Sequence, residues 1–93
     1  MATFNFNDQK TEVKIGILNF LKKEGGNKVI FEFKDTIIDY LKSMEISNNF
    51  LLGNMKAISP VKEISTDEVI KITVFEQEFS IPLEYVEDVS LVK

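Results

Sequence analysis

Residues 69–75 constrain the fold of this chain more than any other segment, because their residue types favour a β-strand. The segment reads VIKITVF, and β-branched and aromatic residues pack well on a pleated sheet. Apolar residues occur on both faces of the predicted strand, which is typical of a strand that is covered on both sides. Residues 79–81 predict an antiparallel partner strand after a link at residues 76–78. No Asn-Gly or Asp-Gly turn fixes the register of this pair.

Residues 9–24 predict an amphipathic helix, because apolar side chains recur there at helical spacing. The apolar stripe consists of Val13, Ile15, Ile17, Leu18, Phe20 and Leu21. We expect this stripe to face the core. Gly16 weakens the helix by about 1 kcal/mol relative to alanine, so a strand at residues 13–17 is the alternative interpretation.

A strand and a second helix are predicted next. Residues 29–34 alternate between apolar and polar positions, which predicts a strand with one buried face. Residues 36–44 place apolar side chains along one helical face, and Asp35 precedes them as a predicted N-terminal cap. A single helical turn is predicted at residues 83–85, directly after Pro82.

Two segments are compatible with both a strand and a helix. Residues 50–58 favour a strand, since the segments that follow them are strand-like, but a helix would bury their apolar residues equally well. Residues 86–92 carry valine and leucine at positions that suit either a strand or a short helix. Periodicity alone does not separate the two structures in short apolar segments.

These elements predict an α+β fold, with an N-terminal helix-strand-helix followed by a β-rich C-terminal half. The order of strand, strand, one-turn helix and closing strand resembles that of small SH3-like or Sm-like barrels, an analogy of architecture alone. A small antiparallel sheet packed by two helices is the alternative. Halves of fewer than about 50 residues would be too small to be stable without disulfides or metals. We therefore expect residues 1–93 to form a single compact domain.

Several reactive residue types are missing from the sequence. The chain has no Cys, His or Trp, and all 11 basic residues are Lys. Histidine is the usual general acid or base, cysteine is a common nucleophile, and both are the usual zinc ligands. The serines lie in no nucleophile motif, and no glycine-rich nucleotide motif occurs. We therefore expect no catalytic residues, no metal and no cofactor, and hence a protein that is not an enzyme.

The net charge of −4 is unevenly distributed along the chain. Residues 1–62 carry nine Lys and seven acidic residues, a net charge of +2, whereas residues 63–93 carry two Lys and eight acidic residues, a net charge of −6. Because nucleic-acid binding normally needs a basic stripe, we expect no direct contact with nucleic acid. The candidate partner-binding acidic surface consists of Glu76, Glu78, Glu84, Glu87 and Asp88.

The N-terminus provides a second candidate surface. Residues 3–6 alternate between polar and apolar types, with Phe4 and Phe6 on the same face. A short N-terminal strand of this kind can pair with the sheet edge of another chain. Phe4 and Phe6 therefore form a candidate self-association arm, and we expect a homo-oligomer.

The chain contains neither a membrane span of about 18 apolar residues nor a secretory signal at its N-terminus. Together with the lack of Cys, this predicts a cytoplasmic protein that does not bind membranes. The eleven Ile, seven Asn and absence of Arg indicate an AT-rich genome, as in a low-GC bacterium or its phage.

The leading functional hypothesis is a non-catalytic protein-protein interaction module, of accessory or assembly type. The alternative is a small acidic inhibitor that blocks a nucleic-acid-binding protein, of the anti-restriction or anti-CRISPR type, which would require one continuous acidic patch. A small-ligand binder or an enzyme is disfavoured, because it needs a deep pocket with convergent polar groups.

Overall fold

A computed structural model of the chain describes residues 2–24, 28–47, 49, 51, 55–64 and 68–91. This part of the chain confirms the α+β fold. The helices are α1 (Thr11–Glu24) and α2 (Ile37–Ser43). The strands are β1 (Ala2–Asn5), β2 (Val29–Phe33), β3 (Lys56–Ser59), β4 (Val61–Ile64), β5 (Val69–Val74), β6 (Gln77–Pro82) and β7 (Val86–Leu91). None of the helices in these residues is long and apolar enough to cross a membrane.

The strands form two antiparallel sheets. The first sheet has the order β1-β7-β2-β3, and the second has the order β4-β5-β6. The chain passes from the first sheet to the second at Pro60, between β3 and β4, where the missing N–H of proline interrupts a ladder of hydrogen bonds. The described strands do not close into a barrel, so the structure does not adopt the barrel alternative.

A single cluster of buried apolar side chains joins both sheets and both helices. In β5 every second residue is buried and the residues between them are half-buried, so both faces of this strand are at least partly covered. The largest fully buried side chains include Phe6, Leu18, Leu21, Phe31, Ile37, Leu41, Ile70, Ile72 and Ile81. Each such side chain stabilises the fold by about 1.5–3 kcal/mol relative to an exposed position.

The predicted helices are confirmed, with one correction at the start of α2. The N-cap of α2 is Thr36, and its side chain makes no capping hydrogen bond, so the predicted cap at Asp35 is wrong. Backbone carbonyls accept the first N–H groups instead: Ile37 N–H donates to Lys34 O at 3.0 Å, and Ile38 N–H donates to Asp35 O at 3.1 Å. The acceptors of these first N–H groups are therefore backbone carbonyls, and the Asp35 side chain is not one of them.

Both ambiguous segments contain strands. Residues 56–59 form β3, while residues 50 and 52–54 lie outside the described residues. Residues 86–91 form β7, which lies between β1 and β2 and so supplies hydrogen bonds to both of them. The predicted helical turn is confirmed as a 3-10 turn at Leu83–Tyr85. Strand β4 was not predicted from the sequence.

The β5–β6 hairpin is confirmed, but its turn is shorter than the sequence indicated. Val74 pairs with Gln77, so the turn consists of Phe75 and Glu76 alone, and Glu78 lies within β6. Both turn residues have positive φ angles, 51° for Phe75 and 64° for Glu76. Two consecutive residues in this region define the type I′ turn, whose twist matches that of the flanking strands.

One hydroxyl group in β5 is buried without a partner. Thr73 Oγ1 makes no hydrogen bond within the described residues, although the Thr73 backbone N–H donates to Ser59 Oγ at 2.9 Å. Because an unpaired buried polar group destabilises the folded state, we expect Thr73→Val to raise the free energy of unfolding by about 1 kcal/mol.

Urea denaturation followed by circular dichroism tests this expectation. Ser59→Ala is the matched control, since it removes the acceptor of the Thr73 N–H and should lower the free energy of unfolding by about 1–3 kcal/mol. A Thr73→Val protein that is less stable than the wild type would show that the hydroxyl group has a hydrogen-bond partner in solution.

Candidate functional site

An open apolar groove lies between β1 and α1. Its volume is about 430 Å³, and it is lined by Phe4, Val13, Gly16, Ile17 and Phe20. The rings of Phe4 and Phe20 meet edge to face, with their centroids 6.3 Å apart. Val13 is 43% exposed and Phe20 is 47% exposed. A contiguous exposed apolar surface of this kind marks an interaction site more often than an isolated exposed side chain does.

The groove exists because the apolar stripe of α1 is wider than the surface that the core covers. Leu18 and Leu21 are fully buried in the core, whereas Val13 and Phe20 lie on a different side of the helix, next to Phe4. The prediction that Val13 and Phe20 face the core is therefore wrong. A helix buries one face, and the sequence of α1 does not show which part of a broad stripe that face includes.

Gly16 is the one glycine among the residues that line this groove. A Cβ atom added at Gly16 would meet no described atom within 4 Å, so no close packing requires a glycine here. A glycine inside a helix costs about 1 kcal/mol relative to alanine. Because glycine has no side chain, residue 16 covers none of the groove surface beside the exposed side chains of Val13 and Phe20.

Strand β1 adds an open sheet edge beside the groove. It pairs with β7 on one side and is the outermost strand of its sheet. The Phe6 N–H donates to Glu87 O at 2.8 Å, and the alternation of antiparallel bonds then directs the backbone groups of Thr3 and Asn5 away from β7. An edge strand with outward backbone groups can pair with a strand of another chain.

The two aromatic residues of the predicted arm have different environments. Phe4 is half-buried and lines the groove. Phe6 is 1% exposed and belongs to the hydrophobic core. Phe4 therefore borders a surface on which a partner can bind, whereas Phe6 stabilises the fold of its own chain.

The structure places the predicted acidic residues in three locations. Glu76 and Glu78 lie at the β5–β6 hairpin, Glu84 lies in the 3-10 turn, and Glu87 and Asp88 lie in β7. The hairpin turn and the 3-10 turn are at opposite ends of β6, a strand of six residues that spans about 20 Å. The carboxylates of Glu87 and Asp88 lie within 4.8 Å of each other.

Glu87 and Asp88 meet a third carboxylate that the sequence analysis missed. Glu32 of β2 is the cross-strand neighbour of Asp88, and one carboxylate oxygen of each of the three residues lies within 4.8 Å of the others. The Asn5 amide donates to Asp88 Oδ1 at 2.8 Å, and the Asn7 amide donates to Glu87 Oε1 at 3.5 Å. Carboxylates are ligands for Ca²⁺ and Mg²⁺, but the amide donors already stabilise this cluster, and we assign it no ligand.

The tip of the β5–β6 hairpin presents an exposed aromatic side chain. Phe75 is 71% exposed, and Glu76 and Glu78 beside it are also exposed. A bulky residue with positive φ is rare, and the left-handed conformation costs roughly 1–2 kcal/mol per residue. The sequence analysis placed Phe75 inside a strand, because no turn motif marks the hairpin.

A second, smaller cavity lies beside α2. Its volume is about 180 Å³, and it is lined by Ile38, Leu41, Lys42, Ile46 and Ser47. The lysine and the serine are its polar lining side chains. Lys42 and Ser47 make no hydrogen bond with each other in the described residues, and Ser47 Oγ instead accepts the Asn49 N–H at 3.2 Å. They therefore do not form a nucleophile–base pair, and we assign this cavity no function.

The chain matches no protein-family model, and comparison with curated proteins and with solved structures finds no match either. The argument for function therefore depends on the geometry of the groove, the open edge and the hairpin. An apolar groove can bury an apolar side chain of a partner, and an open strand edge can supply backbone hydrogen bonds.

Proposed function

We propose that this protein is a non-catalytic protein-protein interaction module, of accessory or assembly type, that binds a second copy of itself through the groove between β1 and α1. The observation that carries this proposal is the exposure of Val13 and Phe20 beside Phe4. Covering these side chains removes apolar surface from water, which contributes about 25 cal/mol for each Å² that is buried.

The lining of the groove favours a protein as its occupant. All five lining residues are apolar, so they provide no polar side chain to orient a small ligand. Small-molecule sites generally combine apolar walls with a few placed polar groups. A protein partner can instead be oriented by contacts at the rim of the groove and by the open edge of β1.

The charge distribution favours a second copy as the partner. Residues 9–24, which include α1, carry four Lys and two Glu, a net charge of +2. Residues 63–93 carry a net charge of −6. Two copies that meet through these unlike regions attract each other, which accelerates association and fixes their orientation. The acidic-inhibitor alternative has less support, because its five residues lie in three locations.

Gly16→Glu tests the proposal, because it adds a charged side chain to a residue that lines the groove, at a position where an added Cβ atom meets no described atom within 4 Å. We expect the mass of the wild type to rise above the 10.7 kDa of the monomer as its concentration increases, and the Gly16→Glu protein to remain monomeric. Size-exclusion chromatography with light scattering measures both. Circular dichroism checks that the variant is folded.

Asn19→Glu is the matched control. Asn19 is exposed on the same helix and is not among the residues that line the groove, so the charge change is the same and the groove stays open. A wild type that is monomeric at every concentration would contradict the proposal. Equal self-association of the Gly16→Glu and Asn19→Glu proteins would contradict it as well.

A further inference from the structure

We infer that the β5–β6 hairpin of the second copy fills the groove, with Phe75 as the inserted side chain, so that copies join head to tail. This inference rests on the proposed function, because it names the element that occupies the same groove. It follows from three properties of the hairpin and the groove: the exposure of Phe75, the apolar lining, and the charges beside both.

Phe75 combines high exposure with a backbone conformation that is unusual for its residue type. Its side chain is 71% exposed, the largest exposed fraction among the large hydrophobic residues described. Its φ angle is 51°, a conformation that glycine or asparagine adopts more readily. Residues with a strained backbone concentrate at functional sites such as ligand clamps. Burial of the Phe75 side chain in a partner would offset the free-energy cost of this conformation.

The groove offers aromatic neighbours to an inserted phenylalanine. Phe4 and Phe20 line the groove, and their rings meet edge to face, so together they form one aromatic surface. Aromatic pairs contribute beyond the area that they bury. The groove is open to solvent, with a volume of about 430 Å³, and a Cβ atom added at Gly16 would meet no described atom within 4 Å.

Opposite charges accompany the two surfaces. Glu76 and Glu78 lie beside Phe75 and are exposed. On the groove side, Lys10 precedes Val13 by three residues and Lys23 follows Phe20 by three residues. Residues three or four apart are neighbours on a helix surface. Lys10 directly precedes α1, and its carbonyl accepts the Val13 N–H at 3.0 Å. By the same rule Glu24, four residues after Phe20, is also a neighbour of the groove. Residues 9–24 as a whole carry four Lys and two Glu, a net charge of +2 that is opposite in sign to the charge of the hairpin acids.

The contact uses two different surfaces of the same chain. Such a heterologous contact leaves one free hairpin and one free groove on every pair, so assembly continues into rings or open chains. A two-fold dimer formed by the edges of two β1 strands would instead use one surface twice and stop at two copies. Assembly beyond two copies therefore distinguishes the hairpin contact from a two-fold dimer that covers the groove.

A mixing experiment with two variants tests the inference. Phe75→Asn removes the inserted ring while keeping a residue that tolerates positive φ, and Gly16→Glu blocks the groove. We expect each variant alone to be monomeric. We expect an equimolar mixture to form a one-to-one heterodimer, because the Phe75→Asn protein supplies an open groove and the Gly16→Glu protein supplies an intact hairpin. Sedimentation velocity measures the species.

Charge reversal provides a second measurement. The double substitution Glu76→Lys with Glu78→Lys should weaken self-association by about tenfold or more. Added salt should weaken the self-association of the wild type but not that of the double variant. The matched control is Asp39→Lys with Glu45→Lys, which reverses the same number of charges at two exposed residues outside both surfaces. An equal effect of the two sets of substitutions would overturn the role of the hairpin charges.

The outcomes separate the inference from the proposed function. If the Phe75→Asn protein associates as the wild type does while the Gly16→Glu protein does not, the groove binds another element and the inference is overturned. If both variants are monomeric but their mixture is also monomeric, the head-to-tail contact is overturned. If the wild type itself is monomeric at all concentrations, the inference and the proposed function are both overturned.

Discussion

Replacing Phe6 by alanine should lower the free energy of unfolding by about 3–5 kcal/mol. Phe6 is 1% exposed and packs in the hydrophobic core, so its removal loses buried apolar area and leaves a cavity. Domains of this length have total stabilities of about 5–15 kcal/mol. The Phe6→Ala protein is therefore expected to be close to unfolding at room temperature, and urea denaturation followed by circular dichroism measures the loss.

Phe4→Ala is the matched control for this prediction. Phe4 is two residues away on the same face of the N-terminal segment, but it is half-buried beside the groove. We expect its replacement to lower the free energy of unfolding by about half as much or less, and to weaken self-association. Equal losses from the two substitutions would show that Phe6 is not held in the core of its own chain in solution.

Replacing the hairpin turn by Asn-Gly should raise the free energy of unfolding by about 1–2 kcal/mol. The double substitution Phe75→Asn with Glu76→Gly supplies the residue pair that the type I′ turn prefers, at two positions where φ is 51° and 64°. The added flexibility of glycine in the unfolded chain offsets part of the gain. For a chain of this length the melting temperature should rise by about 4–8 °C for each kcal/mol.

The same double substitution should abolish self-association, because it removes Phe75. Stability and association are therefore expected to change in opposite directions, which separates loss of binding from loss of folding. Glu76→Gln is the control, since it keeps a side chain with the same backbone preference and should leave the melting temperature unchanged. A destabilised Asn-Gly protein would mean that the turn does not have the type I′ conformation.

The residue patterns of individual segments predicted most of the fold. Residues 69–75 consist mainly of β-branched and aromatic residues, residues 29–34 alternate between apolar and polar types, and residues 9–24 repeat their apolar side chains at helical spacing. The structure has β5, β2 and α1 at these places. Local patterns succeed here because one element buries one side of its own surface. Strand β4 was missed, since its four residues alternate only in part.

The candidate site was predicted in part. Phe4 was selected from its position in an alternating N-terminal segment, and it lines the groove. Val13 and Phe20 were expected in the core as part of the apolar stripe of α1. The sequence of a broad stripe does not show which of its residues remain exposed. Phe75 was expected in a strand, because a two-residue turn without asparagine or glycine has no recognisable motif.

The sequence by itself determined the type and order of the main elements, the uneven charge and the absence of histidine and cysteine. Only the tertiary structure decided that β7 lies between β1 and β2, that Phe6 enters the core, and that Glu32 meets Asp88 across a sheet. These contacts join residues that are far apart along the chain, and they depend on how strands from both ends pair. A local pattern carries the preference of a segment for helix or strand, whereas strand order and register follow from packing the whole core at once.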